Sequence, residues 1–173
     1  MLKVLALLAA MFAQTAGDPP IVDNDRVNVR ERPTIGGPAG SMVRKTPNEI
    51  WISVNPAKAI VITLKDKVVA PIKNTSSHPT AFPRPGNIKV YEDARVIVWD
   101  YTWALGKPTP MHFHDKDVVV IYLDNGTLKS TTPDGKSVTN KRSPGDTFFN
   151  PRDRVHTETL IDGKLRAIIT ELK

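Results

Sequence analysis

Residues 106–126 read GKPTPMHFHDKDVVVIYLDNG, and this stretch decides the fold. His112 and His114 are two positions apart, so on a β-strand both imidazoles lie on the same face. Val118–Leu123 is continuously apolar, which is typical of a short strand that is buried on both of its faces. Asn125-Gly126 then supplies the positive φ angles that a tight hairpin turn requires. The stretch therefore predicts a strand that carries two histidines, followed by a strand at the centre of a sheet.

Strand-like segments and turns alternate through the rest of the chain. Segments rich in β-branched residues recur at roughly 8–12-residue spacing, which is typical of antiparallel sandwiches and barrels. Ala59–Leu64 and Val68–Ile72 flank Lys65-Asp66-Lys67 and predict one further hairpin. No stretch after residue 18 shows a convincing helical period, and the 15 Pro and 10 Gly imply many turns. The sequence therefore predicts an all-β fold.

Composition narrows the class of protein. Hydrophobic residues make up 40% of the 173 positions, which is enough for a folded globular chain. The chain has no cysteine, and this excludes disulfide scaffolds, Cys-ligated zinc, iron–sulfur clusters and thiol nucleophiles. The formal net charge is +6, but Lys and Arg are mixed with Asp and Glu. A solvated basic surface is therefore favoured over nucleic-acid binding, and the charge suits an anionic small molecule.

The first 17 residues, MLKVLALLAAMFAQTAG, have the layout of a secretory signal peptide. Lys3 precedes an apolar run from Val4 to Phe12 that is too short to cross a bilayer core of ~30 Å. Small residues follow, and Asp18-Pro19-Pro20 then stops any helix. The alternative is a buried N-terminal helix. The signal-peptide interpretation predicts an exported protein, periplasmic or secreted, without a membrane span in its mature form.

The segment after the predicted signal peptide is polar and rich in Pro and Gly. We interpret residues 18–47 as an irregular N-terminal arm or linker. Within it, Asp25–Glu31 alternates apolar and polar residues and is predicted to add as one edge strand. The predicted organisation is a signal peptide over 1–17, the arm over 18–47 and one domain over 48–173.

A second stretch, GDTFFNPRDRVH at residues 145–156, contributes a third histidine. Over about residues 86–172 the chain resembles the cupin superfamily, and it looks most like small single-domain bacterial cupins. The first cupin motif matches at Gly106, His112, His114 and Gly126, and the second matches at Gly145, Pro151 and His156. The resemblance implies a double-stranded β-helix, the jelly-roll barrel of the cupins. It also implies that His112, His114 and His156 bind one divalent transition metal.

The chain departs from the first motif at its fourth metal ligand. That motif has a glutamate at position 118 or 119, where this chain has Val118 and Val119. Asp117 is the nearest carboxylate and becomes a candidate ligand if a β-bulge turns it toward the metal. The alternative for Asp117 is a carboxylate in a loop or at the rim of the barrel.

Two residues near the third histidine are candidates for catalysis. Arg154 and Glu158 share the strand face of His156. Arg154 is a candidate to meet an anionic substrate, with a solvated rim arginine as the alternative. Glu158 is a candidate to orient substrate or move a proton, and it is a second candidate for the missing ligand.

Three histidine ligands leave up to three positions on the metal for water, substrate and O2. The resemblance therefore implies an exported metalloenzyme acting on a small molecule, with an Fe2+ dioxygenase as the first interpretation. Mn, Ni, Zn and Cu also fit three imidazoles, and isomerase or lyase chemistry is a weaker alternative. A cupin without enzymatic activity, which binds a small ligand or metal or serves oligomerisation, is the competing interpretation. We expect a homodimer, because the Val118–Leu123 strand suits a dimer face as well as a core.

Overall fold

Strands account for all the regular secondary structure of the described chain, as the alternating sequence pattern predicts. The computed structural model describes residues 19–34 and 36–173. Within these residues no apolar helix reaches the length needed to cross a membrane. The predicted signal peptide lies outside the described residues.

The strands are numbered in chain order. Their bounds are β1 (Val22–Asp23), β2 (Val27–Pro33), β3 (Met42–Thr46), β4 (Glu49–Asn55), β5 (Lys58–Leu64), β6 (Asn87–Glu92), β7 (Val96–Trp103), β8 (His112–His114), β9 (Asp117–Tyr122), β10 (Gly126–Thr131), β11 (Ser137–Arg142), β12 (Thr147–Asn150), β13 (Arg154–Gly163) and β14 (Leu165–Leu172).

These strands form three sheets in which hydrogen-bonded neighbours run antiparallel. The N-terminal sheet has the order β1-β2-β5-β4-β3, and the central sheet has the order β12-β9-β14-β7-β6. The histidine sheet, named for the three residues it carries, has the order β11-β10-β13-β8. The central and histidine sheets together form the double-stranded β-helix that the sequence predicts.

Each face of the central sheet borders its own hydrophobic core. Toward the N-terminal sheet the core is aliphatic, and it includes Val27, Ile52 and Ile62 together with Val119 and Ile168 of the central sheet. Toward the histidine sheet the core is rich in aromatic side chains, namely Phe82, Trp99, Tyr101, Trp103 and Tyr122. The central sheet is therefore covered by a sheet on each side.

Strand β9 shows how one run of sequence serves both cores. Val118, Val120 and Tyr122 belong to the aromatic core, whereas Val119 and Ile121 belong to the aliphatic core. Successive side chains of a strand point to opposite faces, so a strand between two cores must be apolar at every position. The prediction that Val118–Leu123 is buried on both faces is confirmed.

The N-terminal region is more ordered than the predicted irregular arm. Strand β2 lies between β1 and β5 in the interior of its sheet, so the predicted edge strand at Asp25–Glu31 is corrected. Val27 and Val29 have no exposed surface because the N-terminal sheet packs on the central one. The predicted boundary at residue 48 falls inside the β3–β4 hairpin and separates no structural units.

The predicted hairpin over 59–72 is also wrong in its second half. Ala59–Leu64 lies in β5, but residues 68–72 form no strand. Both edges of β5 are already paired, one with β2 and the other with β4. A hairpin partner after Lys67 therefore has no free edge to join.

Candidate metal centre

The three motif histidines meet where β8 pairs with the start of β13. In this antiparallel register His112 lies opposite His156, and His114 lies opposite Arg154. Residues on one face of paired strands are neighbours, so the register brings the imidazoles of the two motifs together. All three histidines are buried. The convergence predicted from the H-x-H pattern and the distant third histidine is thus present.

The spacing of the ring nitrogens fits a transition metal. One nitrogen from each histidine can be chosen so that all three lie within 4.8 Å of one another. The Nε2 atoms of His114 and His156 are 3.1 Å apart. Two ligands at about 2.1 Å from a shared metal lie about 3 Å apart in octahedral or tetrahedral geometry. These two histidines therefore already have ligand spacing, and His112 completes the group.

The protonation states of the histidines also suit metal binding, which requires neutral imidazoles. Burial, helped by the positive charge of Arg84, lowers the pKa of His112 to about 4. Burial likewise lowers the pKa of His156, and it lowers the pKa of His114 well below the usual range. His112 Nδ1 lies 2.7 Å from the carbonyl oxygen of Pro110, so it donates its proton there and leaves the Nε2 lone pair available.

Arg84 is the nearest cation to this group. Its Nη1 lies 2.9 Å from Nε2 and 3.4 Å from Nδ1 of His112. A nitrogen that is close to both ring nitrogens sits against the imidazole and does not lie along the axis of one lone pair. Arg84 therefore flanks His112 without taking the position of a metal.

The guanidinium of Arg84 also binds Glu158. Arg84 Nη2 donates to Glu158 Oε2 over 3.2 Å, and Trp103 Nε1 donates to the same oxygen over 3.2 Å. The side chain of Arg84 is 5% exposed and lies over the ring of Tyr101, with 4.3 Å between the guanidinium carbon and the ring centroid. These contacts fix the carboxylate of Glu158 beside the histidines.

A cavity of about 210 Å³ opens between the central and histidine sheets at this point. Its wall includes His114, His156 and apolar side chains such as Val118, Val120 and Leu128. The charged groups on the wall are Arg84, Arg142, Arg154 and Glu158. The cavity therefore joins the histidine group to a space of small-molecule size with an excess of positive charge.

The structure does not bring Asp117 to the histidines, and this predicted ligand is corrected. Residues 118, 120 and 122 face the cavity side of β9, so Asp117 points to the opposite face, and the pairing of β9 contains no bulge. Arg26 Nη1 donates to Asp117 Oδ2 over 2.6 Å, and the backbone nitrogen of Arg152 donates to Oδ1 over 2.8 Å. The position of the missing glutamate is instead occupied by Val118, which lines the cavity.

Arg154 and Glu158 line the cavity on the face they share with His156, as their spacing predicts. Asp153, at the position of a glycine in the second cupin motif, has a φ of 65°. The departure from the motif therefore keeps the left-handed backbone that glycine would provide, because Asp tolerates this region better than most residues.

Three residues of the site were not predicted. Arg84 comes from the proline-rich loop over 78–86, whose sequence indicated a loop and nothing about where it packs. Arg142 lies on β11, and Ser130 Oγ on β10 lies 3.3 Å from His156 Nδ1. The alternation of β10 and β11 would have placed Ser130 and Arg142 on an inward face. Their contacts depend on how the sheets pack.

In the comparisons with known proteins, the chain matches solved structures of cupins. No family model and no curated protein matches the chain. A cupin-domain protein from Bordetella pertussis Tohama I is 29% identical, with a TM-score of 0.45 over 54% of this chain and 99% of that one. An RmlC-like cupin with a double-stranded β-helix from Methanocaldococcus jannaschii is 16% identical, with a TM-score of 0.43 over 62% of this chain and 91% of that one.

A third solved structure is the polyketide cyclase RemF from Streptomyces resistomycificus. It is 19% identical, with a TM-score of 0.43 over 61% of this chain and 80% of that one. Independently of these scores, both motifs lie on paired strands, and their three histidines converge. The all-β fold and the converging histidines that the cupin resemblance implies are therefore both present.

Proposed function

We propose that this cupin-like chain binds one divalent transition metal through His112, His114 and His156 and acts as an enzyme on a small anionic molecule. An oxygenase reaction, with Fe2+ as the first candidate metal, is the specific form of the proposal. The observation that carries it is the meeting of three buried, neutral imidazoles, two of which line a cavity. Neutral, converging ring nitrogens in a buried site are what a divalent transition metal requires.

The residues around the histidines define what the site would do. A bound divalent ion would polarise substrate oxygen atoms, and a redox-active one would add chemistry with O2. Three protein ligands leave positions on the metal open to substrate. The cavity is partly enclosed by the two sheets, and charged groups in such a space interact with a substrate more strongly than they would in bulk water.

Glu158 is the group best placed to move a proton. Burial alone would raise the pKa of Glu158, but Arg84 and the neighbouring histidines lower it below the usual value. Its Oε2 accepts hydrogen bonds from Arg84 and Trp103, whereas Oε1 accepts none from the described residues. The carboxylate is therefore ionised near pH 7 and has one free oxygen, so we assign it the role of a base.

Arg154 is placed to bind the anionic group of the substrate. It lies opposite His114 in the strand pairing and lines the same cavity. Its Nε donates to the carbonyl oxygen of Pro151 over 2.8 Å, and this bond orients the guanidinium. The planar guanidinium then offers its terminal nitrogens to a carboxylate or phosphate.

Metal binding is the first test of the proposal. We expect purified protein to hold one metal per chain, and X-ray absorption at the metal edge to identify the element and its nitrogen ligands. His112→Ala should lower the affinity for Co2+, followed by its visible absorption, by more than about 100-fold, because loss of outer contacts alone costs 10–100-fold. His78→Ala is the matched control, since His78 lies outside the histidine group. Mixed, substoichiometric metal that survives His112→Ala would contradict the proposal.

One observation favours a binding protein without enzymatic activity. Val118 lies where the cupin motif has a glutamate ligand, and no carboxylate of the described residues joins the three histidines. A cupin that has lost its fourth ligand and its chemistry would look the same. Weak and mixed metal binding that is independent of His112 supports this alternative, and tight binding that depends on His112 supports the enzyme.

Export and dimerisation complete the proposal. The layout of residues 1–17 supports a cleaved signal peptide, so we propose a periplasmic or secreted protein. N-terminal sequencing of the exported form should find a start close to Asp18, whereas an intact Met1 in the same fraction would oppose cleavage. The Val118–Leu123 strand is buried between the two cores, so it is not available as a dimer face. A homodimer, which we also propose, would therefore use another surface, and sedimentation equilibrium tests for it directly.

A further inference from the structure

The charges on the cavity wall do not balance. Three guanidinium groups, those of Arg84, Arg142 and Arg154, face one carboxylate, that of Glu158. Arg84 is already paired with Glu158. Neither Arg142 nor Arg154 forms an ion pair with a carboxylate of the described chain. Charged groups on the wall of a partly enclosed cavity without a counter-ion indicate a ligand that supplies the opposite charge.

Arg142 is held in place by aromatic rings. Its guanidinium carbon lies 4.2 Å from the ring centroid of Phe148 and 5.2 Å from that of Tyr122. Its Nε atom is buried and has no hydrogen-bond partner. Stacking on these two rings therefore orients the guanidinium of Arg142. A buried Nε atom without a hydrogen bond costs free energy, which is not expected of an arginine that serves only solubility.

The two unpaired guanidiniums approach the cavity from different ends of the histidine sheet. Arg154 is the first residue of β13 and lies opposite His114. Arg142 lies opposite Gly126, which in turn lies opposite Gly163, the last residue of β13. Although these two rows lie at opposite ends of β13, both side chains line the same cavity, and the charges of both act on Tyr122. The two guanidinium groups therefore face one small space and are suited to the two ends of one short ligand.

We infer that the cavity binds a small elongated dianion, a dicarboxylate, with one carboxylate at Arg154 beside the histidines and the other at Arg142. This inference rests on the proposed function for the reaction, but the binding itself requires only the two arginines. The volume of about 210 Å³ corresponds to about seven water molecules, at about 30 Å³ each in the liquid. The ligand is therefore a short-chain acid, and its ends match the planar forks of the two guanidiniums.

Calorimetric titration of metal-free protein tests the inference with malonate, succinate, glutarate, propionate and inorganic phosphate as probes. We expect one dicarboxylate of this series to bind at least about tenfold more tightly than propionate, since each charge-assisted contact is worth about a factor of ten. Arg142→Gln and Arg154→Gln should each remove that advantage. Lys141→Gln is the matched control, because it removes the same charge from an exposed neighbour of Arg142.

Three outcomes would overturn the inference: equal affinity for propionate and the best dicarboxylate, equal affinity for inorganic phosphate, or an equal loss in Lys141→Gln. Arg142→Lys keeps the charge but loses the planar guanidinium, so it should retain only part of the preference for the dicarboxylate over propionate. Partial binding by this variant would show that the loss in Arg142→Gln comes from the missing charge and not from misfolding. Co2+ titration of the same variants separates this inference from the proposed function. Dicarboxylate binding without metal binding supports the inference alone, and the reverse result supports the metal site alone.

Discussion

The two faces of the central sheet differ in chemistry although they share every strand. The face toward the N-terminal sheet packs Val, Ile and Leu side chains into an aliphatic core. The face toward the histidine sheet packs aromatic rings around a cavity lined by His114, His156, three arginines and a glutamate. In β9 the residue that faces one core is the immediate neighbour of the residue that faces the other. The alternation of side chains along each strand therefore separates the face that packs in the aliphatic core from the face that borders the cavity.

The comparison also indicates why the chain has the N-terminal sheet. Burying ionisable groups costs free energy, as the lowered pKa values of the three histidines show. Close-packed aliphatic side chains supply stabilisation of about 25 cal/mol per Å² of buried apolar surface. The N-terminal sheet thus adds a second, purely aliphatic core to the mixed aliphatic and aromatic core of the cavity side, and its burial offsets the cost of the buried ionisable groups.

One buried ion pair interrupts the aliphatic side, and its loss is the largest effect that we predict. Asp117 and Arg26 are 2.6 Å apart with side chains 8% and 5% exposed, and Arg26 Nη2 also donates to the carbonyl oxygen of Lys173 over 2.9 Å. Asp117→Asn leaves the Arg26 charge buried without its partner, so the free energy of unfolding should fall by about 3–5 kcal/mol. Urea denaturation measures this change.

The same variant tests the separation of the two faces. Asp117→Asn should leave the Co2+ affinity of the folded protein unchanged, because Asp117 points away from the histidines. The double variant Arg26→Met/Asp117→Leu removes both charges and should recover most of the lost stability. A Co2+ affinity that falls together with stability would show that the two faces are not independent.

Acid should destabilise the protein through the three buried histidines. The pKa of His112 is about 4 in the folded protein, below its usual 6.5, because burial and Arg84 disfavour the charged ring. Between these two values the unfolded chain binds a proton that the folded chain does not, so stability falls as the pH falls. For His112 alone the loss reaches up to about 3 kcal/mol at pH 4. His114 and His156 act in the same direction, whereas Glu171, whose pKa is raised by burial, opposes them.

Urea denaturation of metal-free protein between pH 7 and pH 4 measures this dependence. His112→Gln removes one titrating group, so its stability should change less steeply with pH than that of the wild type. His78→Ala, outside the histidine group, should keep the wild-type slope. An unchanged slope in His112→Gln would mean that His112 titrates normally and is not desolvated by the cavity.

Local sequence predicted the features that depend on one strand and its turns. The H-x-H spacing, the doubly buried run at Val118–Leu123 and the shared face of Arg154, His156 and Glu158 all follow from the two-residue period. The cupin resemblance added the pairing of two distant hairpins, which no local pattern contains. Together they gave the β-helix and the three candidate ligands.

The features that sequence did not predict depend on packing between elements. Asp117 was a candidate ligand only if a bulge turned it inward, but a regular β9 and the Arg26 charge keep it on the aliphatic face. The alternation of Asp25–Glu31 indicated a strand, yet only the sheet order shows that β2 is interior. Arg84 reaches the histidines from a proline-rich loop whose sequence carries no period. Such contacts are decided by how layers meet, which a single sequence encodes only weakly.

The smallest predicted effect uses two neighbouring valines of β9 on opposite faces. Val119 has no exposed surface and packs in the aliphatic core, whereas Val120 is 6% exposed and lines the cavity. Val119→Ala should lower the free energy of unfolding by about 2–3 kcal/mol, because it removes buried methyl groups and leaves an empty space where packing is dense. Val120→Ala should cost only about 1–1.5 kcal/mol, because that side chain already borders empty space and has fewer contacts to lose. Urea denaturation gives both values, and equal costs would mean that the cavity closes around Val120 in solution. Because the substitution and the strand are the same, a difference between the two variants reports only the side of the central sheet that each residue faces.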